Sequence, residues 1–191
     1  MIRPTLPVET PRLRLRAFVE DDLDPLDAYQ SRADVARYVP WAARTREQSA
    51  LSLGMKMAAT GIEAEGDVVS LAMELRETGA MIGDIVLIWR SEEHRTGEIG
   101  FVLHPDHHGR GLMSEAATEA LRIAFEDLGW RRVIGRCDAR NDASARLMER
   151  IGMRREAHLI ENELFKDEWT DEYGYAMLER EWRARREGAA E

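Results

Sequence analysis

Residues 97–129, GEIGFVLHPDHHGRGLMSEAATEALRIAFEDLG, set the turn Gly109-Arg110-Gly111 between a strand-like run ending at His104 and a long amphipathic helix pattern. The first amides of a helix have no intrahelical partner and carry the positive end of its dipole, so an anion is stabilised there. Two glycines let a bulky anion reach the backbone, and Arg110 adds a positive charge. The predicted chemistry is capture of a phosphate-bearing ligand, mainly by main-chain donors. A P-loop would need Lys-Ser/Thr after the last glycine, where Leu112-Met113 stand, and a dinucleotide fingerprint would need glycine in place of Ser114. A second constellation, Asn141-Asp142-Ala143-Ser144, opens another helix, with Asn141 as N-cap and Ser144 over the same helix end. His104, His107, His108 and Asp106 share the first loop; histidines beside a phosphate site are expected to be solvated or phosphate-directed, and no metal is expected. Cys137 falls in an alternating strand, where packing explains it better than nucleophilic chemistry.

The elements that must hold these residues alternate between strands and helices. Arg12–Arg16 alternates with period two, and residues 67–75, 81–89 and 97–104 read as three successive strands joined by turns at Thr78-Gly79 and Arg95-Thr96-Gly97. Residues 20–31 and 45–59 read as helices, the second capped by Thr45, with the aromatic segment Tyr38-Val39-Pro40-Trp41 between them. The helix at 112–128 puts Ala117, Leu121, Ala124, Phe125 and Leu128 on one face and ends at Gly129. A strand at 132–138, a helix at 142–151 and strands at 153–161 and 169–178 follow, and the polar residues 183–191 are expected to fray. No repeat or linker divides the chain, so one domain is expected over 1–191, with its core at about 10–182.

Bulk properties bound the function. A chain of 191 residues can bury a sizeable core, and 44% hydrophobic with 33% charged residues is ordinary for a globular protein. A formal charge of -9 argues against nucleic-acid binding. One cysteine allows no internal disulfide and favours a reducing compartment, and no long apolar run appears, so a cytoplasmic location without membrane contact is expected.

His108-Gly109-Arg110-Gly111-Leu112-Met113 resembles the pyrophosphate loop of the GNAT acetyltransferases, Gln/Arg-x-x-Gly-x-Gly/Ala, with His108 and Met113 departing from it. Asn141-x-x-Ser144 with Leu147–Met153 is similar to the second cofactor segment of that family. Arg12-Leu13, Pro40-Trp41 and Glu168-Trp169-Thr170-Asp171, followed by Tyr173, Tyr175, Leu178 and Glu181-Trp182, resemble its RimJ/RimL-like branch, which acetylates ribosomal-protein N-termini. Asp167 stands where that branch often has glycine. The resemblance spans about residues 10–182 in family order and implies an α+β, three-layer fold. That fold is a mixed, mostly antiparallel sheet of about seven strands with flanking helices and a splayed central strand pair.

The implied activity is acetyl transfer from acetyl-CoA to an amine by direct attack in a ternary complex, the acceptor being a protein or peptide N-terminus. The close alternative is a small amine such as an antibiotic, polyamine or amino acid; the rival of another class is a non-catalytic acyl-CoA-binding module. By resemblance, Phe101, Val102, Leu103, residues His108 to Ser114, and Asn141 with Ser144 hold the cofactor, and Ser144 protonates the departing thiolate. Strand alternation separates Glu98, Gly100 and Val102 from Ile99, Phe101 and Leu103; Glu98 is the expected base, directly or through a water. Freeing a peptide α-amine near pH 7 takes only about 1–2 kcal/mol, so a weak base suffices. Trp41 and Tyr173 are the expected substrate contacts, and either a monomer or a homodimer fits the sequence.

Overall fold

The computed structural model describes residues 1–188. Its elements run β1 (Val8–Glu9), β2 (Leu13–Arg16), a 3-10 turn (Glu20–Asp22), α1 (Leu23–Gln30), α2 (Ala33–Ala36), α3 (Arg46–Ala58), β3 (Val68–Leu75), β4 (Met81–Ser91), β5 (Thr96–Leu103), α4 (Leu112–Arg122), β6 (Arg132–Asp138), α5 (Asp142–Arg150), β7 (Arg154–Phe165), β8 (Glu168–Leu178) and α6 (Glu179–Gly188). The eight strands form one sheet in the order β1-β2-β3-β4-β5-β6-β8-β7. Every neighbouring pair is antiparallel except β5 and β6. The mixed, mostly antiparallel sheet matches expectation, and the eighth strand is the two-residue β1, too short to leave a periodic signal.

Two apolar layers cover the sheet. Leu13, Leu15, Leu71, Ile85, Ile99, Val133 and Met177 belong to one core shared with α4 and α5. Phe18, Leu26, Tyr29, Leu53 and Ala72 form the other, with α1 and α3. The predicted alternation of β5 is visible here, since Ile99, Phe101 and Leu103 pack in the first layer and Val102 in the second. Thr45 caps α3 by accepting from the Gln48 amide. Buried Asp84 of β4 fixes that layer by accepting from Tyr29 Oη at 2.5 Å and from Lys56 Nζ.

Three expectations are corrected. The helix predicted through residue 128 stops being α-helical at Arg122 and passes into a π-helical turn, Ile123–Asp127, closed by Leu128 N–H to Ile123 O at 2.9 Å. The wider turn keeps Ile123, Ala124, Phe125 and Leu128 buried together and leads to Trp130. The Trp130 ring lies over Gly97, where a Cβ would fall 1.9 Å from it. The segment after Trp182 is helical as part of α6, tied down by Trp182 Nε1–H to Glu126 and by Arg185 to the Arg150 carbonyl; residues 189–191 lie outside the described residues. Finally, β7 extends to Phe165, and Lys166 and Asp167, with φ of 54° and 66°, make the tight turn into β8 without glycine.

Candidate active site

Beyond the register Glu98↔Ile134, the parallel strands β5 and β6 share no pairing among the described residues. Each keeps its outer antiparallel neighbour, β4 or β8, to its far end. The two strands therefore splay, and inward-facing backbone groups of residues 99–102 and 135–138 have no partner across the gap. Loop 104–111 and the start of α4 lie at the open end of this gap, followed in the chain by β6 and the start of α5.

Within the loop, Gly109 and Gly111 have φ of +71° and +73°, and nothing lies within 4 Å of a Cβ built on Gly109. The backbone dihedrals call for glycine, and the space beside Gly109 is open for a ligand at the start of α4. His108, the departure from Gln/Arg, donates from Nε2 to the Leu103 carbonyl at 3.1 Å and ties the loop to the end of β5. Met113, the departure from Gly/Ala, is buried in the core, so its size is felt by the sheet and not by the loop. Leu112 is buried likewise, while Ser114 accepts from Arg150 Nη1 at 3.3 Å and links α4 to α5. Arg110 has no carboxylate partner among the described residues and holds only a 3.4 Å contact with His107 Nδ1. Burial, then His104 and Arg110, lowers the pKa of His107 and disfavours its protonated form.

Arg12 holds this loop from outside, a role its place in the sequence did not reveal. Its Nη1 donates to the Arg110 carbonyl at 2.8 Å and its Nε to Glu115 Oε2 at 2.6 Å. Glu115 also accepts from Thr10 Oγ1 and from the Arg12 amide, at 2.5 and 2.8 Å. The first turn of α4 is thereby fastened to the entry of β2. Arg12, Arg76 and Arg110 share the rim of a cavity of about 430 Å³ beside the loop with Glu77; Arg12 is paired to Glu115 and Arg76 to Glu9, which leaves Arg110 as the guanidinium there without a carboxylate partner among the described residues.

Asn141 Oδ1 accepts from the Ser144 amide at 3.2 Å and caps α5, and Ser144 stands half-buried at that helix end. These groups fit acetyl-CoA: glycine-lined amides for the pyrophosphate, and strand edges without partners for an extended arm.

Across the sheet, on the α1/α3 side, lies a cavity of about 170 Å³. Its lining comes from Tyr38 and Pro40, Glu98 of β5, Arg136, Cys137 and Asp138 of β6, Glu163 and Phe165 of β7, and Thr170, Asp171 and Glu172 of β8. Lys166 Nζ, at the tip of the β7–β8 turn, donates to the Ala36 carbonyl and joins this hairpin to the end of α2. Five of the lining residues are acidic against a single arginine. Asp138 is held below the usual carboxylate range by Arg140, against the effect of burial, and Asp171 by the Glu161 amide and then His158.

The structure brings Glu98 to the cavity but in a different state from the one expected. Its Oε2 accepts from Arg90 Nε at 2.7 Å and Arg136 Nη2 at 3.3 Å, so the expected base is engaged by two guanidinium groups. The two expected substrate contacts are displaced. Trp41 does not line the cavity; its ring carries the Arg44 guanidinium at 4.8 Å, and its neighbours Tyr38 and Pro40 form the wall. Tyr173 alternates with Glu172 and packs against the other core, with Arg155 4.7 Å over its ring. Cys137 lines the cavity, but burial, then Asp138 and Glu172, pushes its thiol up to about 12, which removes it as a nucleophile near neutral pH. Glu163 and Glu172 were missed by sequence reasoning; the alternation Thr170-Asp171-Glu172-Tyr173 was the available signal, since it separates Glu172 from the tyrosine face.

Comparison with known proteins agrees with this geometry. The family model described as an acetyltransferase (GNAT) domain matches residues 12–154. The uncharacterized N-acetyltransferase YnaD of Bacillus subtilis (strain 168) is 35% identical over 175 residues, 92% of this chain and 98% of that protein. An acetyltransferase of the GNAT family from Bacillus anthracis superposes with a TM-score of 0.82 at 32% identity, covering 92% of this chain and 99% of the other. Spermidine N-acetyltransferase from Vibrio cholerae, solved with CoA and spermine, shares the fold with a TM-score of 0.75 at 19% identity, covering 91% and 99% of the two chains. The chain belongs to the GNAT family and is an acetyl-CoA-dependent N-acetyltransferase.

Proposed function

We propose that the protein transfers an acetyl group to the N-terminal amine of a peptide or protein by direct attack in a ternary complex. The observation that carries the reading is the pair of sites on opposite faces of one strand gap. The glycine loop and the α5 cap lie towards one face, and an acidic cavity lies on the other. Acetyl-CoA supplies the activated acetyl thioester. The amides of residues 109–114 hold its pyrophosphate, Arg110 adds charge, and Asn141 orients its arm. The backbone groups of Phe101, Val102 and Leu103 that face the gap, apart from the Leu103 carbonyl bonded to His108, position and polarise the acetyl carbonyl. Ser144 Oγ, at the start of α5, gives a proton to the departing sulfur. The carboxylates of the cavity draw the acceptor's ammonium inward. Glu98, bridged to Arg90 and Arg136, sets the charge at the base of the gap.

The peptide acceptor rests on the RimJ/RimL-like motifs, above all Trp169-Thr170-Asp171 and Pro40-Trp41. A second reading, a small polycationic amine, is favoured by one observation: five acidic residues line only about 170 Å³. Competition between peptides of varied first residue and a set of diamines and polyamines, followed by mass detection of products, separates the two. Peptide acetylation supports the first reading, and turnover of polyamines alone supports the second.

A further inference from the structure

We propose that the Glu172 carboxylate takes the proton from the acceptor's ammonium. The assignment rests on the acceptor being an amine, as proposed above, and it moves the base from Glu98 to a different strand.

Geometry separates these two carboxylates. Glu98 is engaged at Oε2 by both of its arginines, at 2.7 and 3.3 Å. Glu172 is 8% exposed, lines the same cavity and sits opposite Asp138, the last residue of β6, beside the open end of the gap. Only Oε1 is engaged, by the Asn162 amide at 3.5 Å and Arg136 Nη1 at 3.9 Å, both long; Oε2 has no hydrogen bond among the described residues. A largely buried carboxylate with so few donors is held less firmly in its ionised form than one in water, and its Oε2 opens onto the cavity. An ammonium entering the cavity would supply the missing donor and then give up its proton.

The surrounding charges favour the same transfer. Burial raises the carboxyl of Glu172 above its ordinary range; Arg136 of β6 opposes this, and Glu163 of β7 and Glu98 of β5 add to it. Asp138 of β6 is paired to Arg140, Asp171 of β8 to His158, and the Cys137 thiol stays protonated, so none of these competes for the proton. One N–H proton moves to Glu172 Oε2, and the freed nitrogen forms the C–N bond as the C–S bond breaks. Ser144 Oγ gives its proton to the departing sulfur and is reprotonated by the second N–H proton of the nitrogen, and Glu172 returns its own proton to solvent.

The test compares the full-length wild type with Glu172→Gln, Glu172→Asp and Glu98→Gln, using the best acceptor from the peptide and amine set. Thiol release is followed from pH 6 to 9, and acetyl-CoA binding is measured by calorimetry. Glu172→Gln is expected to lower kcat/KM for the acceptor about 100-fold at pH 7. The loss should shrink as pH approaches the acceptor's own pKa, about 8 for a peptide α-amine. Acetyl-CoA affinity should stay within about twofold, and Glu172→Asp should recover part of the rate. An active wild type with an equally active Glu172→Gln, or with an unchanged pH profile, overturns this assignment alone. Loss of acetyl-CoA binding in both Glu172 variants overturns it in favour of a structural role. A wild type that binds acetyl-CoA and acetylates no amine overturns the transferase reading, and this assignment with it.

Discussion

The loop proposed to hold acetyl-CoA presents main-chain amides from consecutive residues around Gly109–Gly111, whereas the cavity across the sheet collects side chains from Tyr38 to Glu172, on four strands and a loop. The first region needs only a local backbone shape, which two glycines and a helix start prescribe. The second exists only once β5, β6, β7 and β8 are paired in register. The cofactor side therefore tolerates side-chain drift, as His108 and Met113 show, while the acceptor side can be re-specified by substitutions that leave the fold alone.

The largest loss on the cofactor side is expected at Gly111. Gly111→Trp combines a φ of +73° with bulk where the pyrophosphate would approach, and is expected to weaken acetyl-CoA binding by about 100-fold or more in calorimetry. Retained affinity would show that the loop does not hold the cofactor. Arg12→Ala removes the bond to the Arg110 carbonyl and the ion pair to Glu115. It should weaken acetyl-CoA binding about 10-fold while leaving the acceptor KM unchanged, because the damage stays on one face. A shift confined to the acceptor KM would contradict the separation of the two sides. Glu98→Gln should lower kcat by about 3- to 10-fold, well short of the loss at Glu172, because its Oε2 is engaged by Arg90 and Arg136.

Protein stability depends on the Glu172 carboxylate as well. The folded-state pKa of Glu172 is raised, so the folded chain holds this proton more tightly than the unfolded one. Stability is therefore lost as pH rises from the ordinary glutamate range through the raised value. Glu172→Gln removes that loss, and should raise Tm by about 1–3 °C at pH 7 and leave it unchanged near pH 4. A variant that loses turnover and gains stability is the signature of a group kept for chemistry. A fall in Tm at pH 7 would indicate a structural carboxylate instead. The smallest effect concerns Cys137, whose thiol is pushed up to about 12; iodoacetamide at pH 7 should label it slowly in the native protein and rapidly after denaturation.

What was legible in the sequence follows the division between local and assembled features. Thr45, Asn141 and Gly129 act through hydrogen bonds or dihedrals within a few residues, and their roles could be read directly. The alternation of β5 was equally visible, because a half-buried strand writes its two faces in period two. The fate of Glu98 was not, since Arg90 and Arg136 reach it only through the pairing of β4 and the proximity of β6. Tyr173 was misplaced for the same reason: an aromatic on a closing strand has no face until its register with β6 and β7 is fixed. The π-helical turn at Ile123–Asp127 and the helical α6 depended on tertiary contacts through Glu126, Trp130 and Trp182, which local propensity does not record.

In the proposed function, two faces of one strand gap bring acetyl-CoA and a cationic amine together. The direct measurement is thiol release from acetyl-CoA by the full-length protein across peptides with varied N-termini and small amines, with mass detection of the acetylated products. The account predicts turnover of amine acceptors, strongest for peptide N-termini, with product mass increased by one acetyl group. Tight acetyl-CoA binding with no acetylated product on any acceptor would contradict it and leave a binding module in place of an enzyme.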